Sequence, residues 1–424
     1  MRSRVICICS VGFFMVLIGP PAQGDEQPPQ RLTLEQSVAE AFARNPGLKA
    51  RRAVVEQGEG RLITAKTYPY NPELTVEAAR RSSGRVSVID RGLAVTQEVE
   101  IAGQRGLRID EMASELDASR AQFRREEERL AADVRVAFVE ALRARELLAV
   151  ERANADLIRN LAEIARKRFD SGAIAQMEVN LAQVQVGRAE RARYMAEGRY
   201  AVARSVLAGV VGLDPSAPPE PEGQLELPAE GLPALSLLIS GAFERRSDLR
   251  AFRENTEAAR VRIELARRDA VPNLTFGAFV GQEDGVDRIA GGAIGIRIPL
   301  FNRNRGTIAT ADASHRQAVA DTDTLELRVR QDVAAALARL RSATAATSTL
   351  QEQVLGTLVE SLGLLQRSFE VGKVDWTQVL VFRREFVEAQ RDYIDTITDA
   401  QLAATELDLA AGIRRQSAAM EARP

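Results

Sequence analysis

The sequence predicts a mainly α fold with a small β part, laid down as two structural repeats. Three observations predict it. Short segments recur in order at a spacing of about 200 residues. Each copy contains a long stretch rich in Ala, Leu, Arg and Glu, the strongest helix formers. Each copy also contains two short segments in which apolar residues alternate with polar ones, the period of a strand with two unlike faces.

The elements follow in chain order. Arg2 and Arg4 precede an apolar run from Val5 to Ile18, which Gly19-Pro20-Pro21 breaks and Ala22-Gln23-Gly24 follows. This is the pattern of a secretory signal peptide, 1–24, and its apolar run is short for a membrane span. The first repeat is placed at 25–212, with its recurring features between 32 and 212. Thr33 with Gln36 three residues later resembles a capping box, and a second helix is expected over about 46–66. Strands are expected near 73–80 and 92–101, joined by a polar loop, Arg81-Ser82-Ser83-Gly84-Arg85. From Leu107 to Ser171 there is neither glycine nor proline, so one continuous helix of roughly 95 Å is expected. It turns at Gly172 and returns over 176–211. Small residues such as Ala131 and Ala132, beside Val134, Phe138 and Leu142, permit close helix approach.

The repetition is specific. Tyr70-Asn71-Pro72-Glu73-Leu74-Thr75-Val76 lies over Ala270-Val271-Pro272-Asn273-Leu274-Thr275-Phe276. Arg105-Gly106 lies over Arg305-Gly306, and Phe169-Asp170-Ser171-Gly172 over Phe369-Glu370-Val371-Gly372. Val179 matches Val379, and Gly212 matches Gly412. The second repeat, 234–412, therefore carries strands with Leu274, Phe276, Ala278 and Val280, then Ile294, Ile296 and Ile298, joined by a loop holding Gly281, Asp284, Gly285 and Asp287. Its long helix runs from Thr307 to Phe369 with only Gly356 and Gly363 inside, and a return helix spans 375–411. Between the repeats, 213–233 holds six prolines and reads as an extended linker packed on the outside. A polar tail occupies 413–424.

Composition narrows the chemistry. The 424 residues carry 57 basic and 59 acidic side chains, net −2, with no basic footprint for nucleic acid. The single histidine, His315, and two cysteines, Cys7 and Cys9, disfavour Cys/His metal sites and histidine relays. Cleavage after the signal would remove Arg2, Arg4 and both cysteines, leaving 55 basic and 59 acidic residues and no thiol. No cofactor and no metal site is expected.

Helices of this length cannot be buried by their own chain. Four strands cannot close a barrel, and an open edge in lipid leaves backbone groups unpaired at several kcal/mol each. The chain must borrow strands from copies of itself or lie outside the membrane. Two copies supply eight strands, which side chains would fill; three supply twelve, which leave a lumen.

The doubled architecture, the proline-led strands at Asn71-Pro72 and Val271-Pro272 and the two tip turns resemble the TolC family of outer-membrane efflux channels. The passage Ile298-Pro299-Leu300-Phe301-Asn302-Arg303-Asn304-Arg305-Gly306 is similar to that family's heavy-metal branch, the CzcC-like and CusC-like proteins. The resemblance implies a homotrimer in outer-membrane lipid, closed as a twelve-stranded β-barrel above an α-barrel of long helical hairpins across the periplasm. It implies docking onto a periplasmic adaptor and an inner-membrane resistance–nodulation–division pump. The subunit would be a passive conduit without catalysis, for heavy-metal cations or, alternatively, organic toxicants.

The same resemblance points to candidate residues. Phe169, Gly172, Phe369 and Gly372 mark the tips where the adaptor would seat, although glycine at these turns is also required by turn geometry alone, and Phe169 and Phe369 either pack under the turns or touch the adaptor. Glu178, Lys373, Asp375 and Gln378 are candidate aperture or lining residues, since a trimer makes each a ring of three. The family's aspartates at the second tip align with Gln378 and Val381, so that acidic ring is altered here. Trp376 either braces the closed tip or packs ordinarily. Two other classes compete. A soluble periplasmic coiled-coil adaptor or scaffold would keep the helices but leave the paired strand hairpins without purpose. A secreted enzyme lacks any nucleophile–base constellation.

Overall fold

The computed structural model describes residues 30–413, apart from Arg85, Ala229, Glu230, Val371 and Gly372. The expected signal peptide and nearly all of the polar tail lie outside the described residues. The first repeat opens with β1 (Arg31–Leu32), α1 (Leu34–Arg44) and α2 (Pro46–Lys66). Thr33 accepts from the Gln36 backbone and the Gln36 side chain accepts from Thr33, so the capping box forms. Next come β2 (Glu73–Ser83), β3 (Val86–Val99), α3 (Gln104–Asp170) and α4 (Gln176–Val211). After β4 (Glu220–Pro221), the plan repeats as α5 (Leu235–Arg245), α6 (Ser247–Arg268), β5 (Leu274–Glu283) and β6 (Asp287–Ile296). It closes with α7 (Arg305–Thr349), a π-helical turn (Leu350–Leu355), α8 (Gly356–Glu370) and α9 (Trp376–Ala411). At 67 residues, α3 is about 100 Å long.

Each repeat builds its own core where its short first helix meets its long hairpin. Ala41 packs with Val134, Phe138, Leu142, Leu207 and Val211 in the first. Ala242 packs with Val333, Leu337, Leu340, Leu407 and Ala411 in the second. The linker is fastened outside: β4 pairs in parallel with β1, and Arg145 and Arg204 donate to its carbonyls at 221, 223 and 218–219.

The four long strands form one antiparallel sheet in the order β2-β3-β5-β6, so the two hairpins lie side by side and β2 and β6 are edges. The helices form a matching wall. Beside the sheet its order is α2-α3-α6-α7; farther away, α4 lies on α3, α3 on α9, and α9 on α7 and α8. A polar belt joins sheet to helices: Asn273 donates to Tyr70 (3.0 Å) and Glu98 (2.8 Å), Gln104 donates to Asn273 (3.3 Å), and Arg108 pairs with Glu100 (2.6 Å).

Three expectations need correction. The first-repeat strands reach 83 and start again at 86, so Arg81, Ser82 and Ser83 belong to β2 rather than to a loop. The ladder continues through this stretch, where Arg81 pairs with Asp90 (3.1 Å) and Arg80 donates to Ser87 (2.8 Å) across the strands. In the second repeat, Gly281 and Asp287 are strand residues, and the turn is confined to Asp284–Val286. The second long helix is also not uniform. Thr347, Ser348 and Thr349 each bond back to the carbonyl four residues earlier, at 2.8–3.1 Å, just before the π turn. Such back-bonding competes with the backbone ladder and bends helices.

At mid-height, Arg246, only 4% exposed, pairs with Asp248 (2.7 Å) and Asp332 (3.2 Å) and donates to the Ala410 carbonyl, while Arg125 pairs with Asp248 (3.4 Å) and donates to Leu409. The end of α9 is thereby tied to the starts of α6 and to α3. Burial pushes the Asp248 carboxyl up, but the Arg246 hydrogen bond and the Arg125 and Arg246 charges outweigh it and hold it below the ordinary carboxylate range. A depressed folded pKa adds stability that is present above the unfolded value and lost as pH falls through the folded one. The difference in thermal midpoint between wild type and Asp248→Asn should therefore be largest near neutrality and shrink below about pH 4. A difference that stays constant across that range contradicts this assignment.

Candidate functional site: hairpin tips, wall edges and the outer sheet face

The first tip is a helix end built for reversal. The Ala173 N–H reaches the Arg168 carbonyl (2.8 Å), the Gly172 N–H reaches Phe169 (2.8 Å), and Gly172 takes φ +78°. Nothing stands within 4 Å of a Cβ added at Gly172, so it is conformation rather than space that requires glycine there. Its counterpart Gly372 lies outside the described residues.

The other tip candidates separate. Phe169 is half-buried beneath the Arg166 guanidinium, 5.7 Å from its ring centre. Of the two roles open to Phe369, the structure takes packing under the turn: it is 2% exposed and packs with Ile158, Leu161, Ala182 and Val379. Arg168 of the first tip lies 5.4 Å from the Phe369 ring centre, so the two tips are locked together by packing and a cation–π contact. Asp375 and Gln378 are both exposed and form a capping box, with Gln378 N–H donating to Asp375 (2.8 Å). Lys373 is exposed, and its N–H closes the second turn on Ser368 (2.9 Å). Glu178 is half-buried in the first turn of α4. The Trp376 side chain lies outside the described residues.

Sequence reasoning missed a polar cleft of about 410 Å³ between α3, α4 and α9. Arg391 binds Glu151 there, while Glu151 Oε2, Asn154 Oδ1 and Arg383 Nε are buried without a protein partner. Burial pulls the Arg383 guanidinium below the ordinary arginine range, with Glu151 opposing. Among isolated helix patterns these charges look like solvated faces; only the crossing of α9 over α3 brings them inside. His315 lies half-buried on α7, and no group of three or more His, Cys, Asp or Glu among the described residues is placed to hold a metal.

The wall has unfinished faces. On α4, Met177, Leu181, Val184, Met195 and Val202 are exposed along one side, at helical spacings of three, four, seven and eleven. On the opposite margin, Val319 and Leu327 of α7 are exposed, Leu327 by 70%. The sheet is two-sided. One face carries Leu74, Val76, Leu93, Val95, Phe276, Val280 and Ile294, all exposed. The other carries Glu73, Thr75, Glu77, Thr96, Thr275 and several glycines, with Phe279 lying over Gly291, where an added Cβ would stand 2.6 Å from its ring. Beyond the helix end of β6, Ile298, Leu300 and Phe301 are also exposed. Among the described residues no helix is long and apolar enough to cross a membrane. A sheet with one apolar and one polar face meets the requirement of a barrel wall, provided its edges are closed.

Comparison with known proteins agrees with this geometry. The profile of the outer membrane efflux protein family matches residues 38–213 and again 238–413. The cobalt-zinc-cadmium resistance protein CzcC of Cupriavidus metallidurans is 24% identical over 380 residues, covering 89% of each chain. The nickel-cobalt-cadmium resistance protein NccC of Alcaligenes xylosoxydans is 26% identical over 313 residues, covering 72% of this chain and 68% of the relative. The crystal structure of CusC, described in terms of transmembrane channel formation, superimposes with a TM-score of 0.75 at 18% identity, over 89% of this chain and 92% of the other.

Truncating Phe369 to Ala should cost about 3–5 kcal/mol of local stability. Hydrogen exchange should quicken around Ile158–Ala165 and Val379 and stay unchanged at Val333–Leu340. Unchanged protection at the tip contradicts the interlock.

Proposed function

Because this chain belongs to the outer membrane efflux protein family, we propose that three copies close into one conduit and that it carries heavy-metal cations out of the cell. The protein is an outer-membrane efflux channel of the TolC type, with long periplasmic helices. In the proposed trimer, β2 of one copy pairs with β6 of the next, completing twelve strands. The apolar face of α4 in one copy packs on the α7 margin of the next, completing the helical tube. The observation that carries this reading is that sheet and helix wall of a single chain end in open edges on both sides.

The outward sheet face, with Leu74, Val76, Leu93 and Val280, sits in lipid, and the polar face lines the lumen. The tip turns at Gly172 and Gly372, with Phe169 beside the first, form the rim on which a periplasmic adaptor seats. The adaptor links the channel to an inner-membrane resistance–nodulation–division pump, which supplies the energy. Glu178, Lys373, Asp375 and Gln378 are proposed to line the aperture as rings of three. Opening is a shift between two arrangements of the tip helices, biased by adaptor contacts. The conduit itself performs no catalysis. The metal substrate is supported by the names of the relatives CzcC and NccC.

Purified without its signal segment and with detergent, the protein should run as a trimer and give stable pores in planar bilayers; a detergent-free soluble monomer overturns the reading. In a strain lacking its own channel, the gene with its cognate pump and adaptor should restore resistance to cobalt, zinc or cadmium. Resistance restored to organic toxicants alone overturns the metal assignment. Gly172→Val forces a β-branched residue to φ +78° and should cut that resistance sharply while trimers and pores persist. Normal export by this variant overturns the rim assignment.

A further inference from the structure

Charge is sorted between the two faces of the sheet at its turn end. Along the ladder, Ala78 stands opposite Arg91, Arg91 opposite Gln282, and Gln282 opposite Arg288, so these four share one row. Arg80 is the next residue on that same face of β2. The row lies directly above the apolar residues Val76, Leu93 and Val280, on the outer face. The outer face near the turns thus carries Arg80, Arg91 and Arg288, and among the described residues it carries no carboxylate. The inner face at the same height carries Glu77, Asp90, Glu283 and Asp287, with Arg81 paired to Asp90 and Asp284.

The outer arginines are exposed, and among the described residues neither Arg91 nor Arg288 has a carboxylate for a partner. Arg80 donates to the Ser87 hydroxyl (2.8 Å). Diagonal neighbours on a ladder stand about 7–8 Å apart, which describes Arg80 and Arg91. Arg91 and Arg288 are two strands apart, about 10 Å. Three like charges at such spacings repel unless anions lie between them. A guanidinium matches a phosphate with paired donors, and its long stem lies comfortably on apolar surface.

The direction of the sheet is fixed by its connections. Every long helix leaves from the end near Tyr70, Val99 and Ile296, and the arginine row lies at the other end, next to the hairpin turns. We propose that Arg80, Arg91 and Arg288 form an outward girdle that binds the phosphate groups of phosphorylated lipid headgroups in the outer leaflet. This inference rests on the reading of the sheet as a membrane barrel. It assigns the charge sorting a purpose: the girdle anchors the channel at the headgroup level, while the acidic inner face stays with the lumen. The trimer would carry nine such arginines around its rim.

The test uses the whole trimer in detergent, with native mass spectrometry of bound bisphosphorylated lipid A and of the same glycolipid stripped of phosphate. Wild type should retain the phosphorylated form and largely release the stripped one. The triple variant R80Q/R91Q/R288Q should bind the phosphorylated form at least about tenfold less, with trimer mass and pore conductance unchanged. Arg81→Gln removes one positive charge from the inner face, as Arg91→Gln does from the outer, and should bind as wild type does. If the triple variant does not assemble, Arg91→Gln alone carries the test and should bind about threefold less. Equal retention by wild type and variant, or equal retention of the two glycolipids, overturns the girdle. Displacement by inorganic phosphate at the lipid's own concentration also overturns it, because the site would then be for a free anion. Loss of trimer and conductance in wild type would instead overturn the barrel reading, so the two failures are told apart.

Discussion

The whole arrangement depends on unpaired edges. A backbone N–H or C=O left bare in hydrocarbon costs several kcal/mol, and a sheet edge presents a row of them. Here β2 and β6 are both edges, each ten or eleven residues long, and their outer face is apolar. Neither shortening nor proline blunts them along their apolar length. The helix wall has the same property, with apolar faces on α4 and α7 left without a neighbour in the chain. One polypeptide is thus a segment of a wall, finished inside and unfinished at its sides.

What holds the segment itself together is local to each repeat. The α1–α3–α4 and α5–α7–α9 cores use corresponding positions, Ala41 with Leu207 and Ala242 with Leu407. The repeats are then joined at three heights: the Tyr70–Asn273–Glu98 belt beneath the sheet, the Arg125–Asp248–Arg246 cluster at mid-height and the Phe369 interlock at the tips. Above the tip core lies a polar stretch of the helix wall. The Glu151–Arg391 pair there adjoins buried polar atoms with no partner, in a cleft of about 410 Å³. Buried polar atoms without partners lower local stability, which suits the opening proposed for the tip helices.

Much of this was legible in the chain. The 200-residue spacing announced the repeats, and the run free of glycine and proline announced α3 almost to its ends. The alternation at Leu74–Ala78 and Leu274–Val280 marked strands with two unlike faces before any pairing was known. Other features were hidden for physical reasons. Arg81 to Ser83 look like a loop because the strand's polar upper end carries charge on both faces; only cross-strand partners reveal it as strand. The π turn at 350–355 leaves no compositional mark beyond the Ser/Thr run before it. The turn motif leaves Phe369 a choice between packing under the turn and facing a partner; the second tip leans on the first and buries it. Arg383 and Glu151 meet only through a helix crossing 230 residues apart in sequence.

The claim on which all else rests is that β2 of one copy lies against β6 of another. The segment after the expected cleavage site contains no cysteine, so disulfides can be placed at will. A cysteine at Val76 would be combined in turn with cysteines along positions 288–296 and oxidised in isolated outer membranes. The account predicts that at least one register yields a covalent trimer on a denaturing gel. If every register leaves the chain monomeric, while the protein is folded and in the membrane, the edges do not meet and the conduit is not built this way.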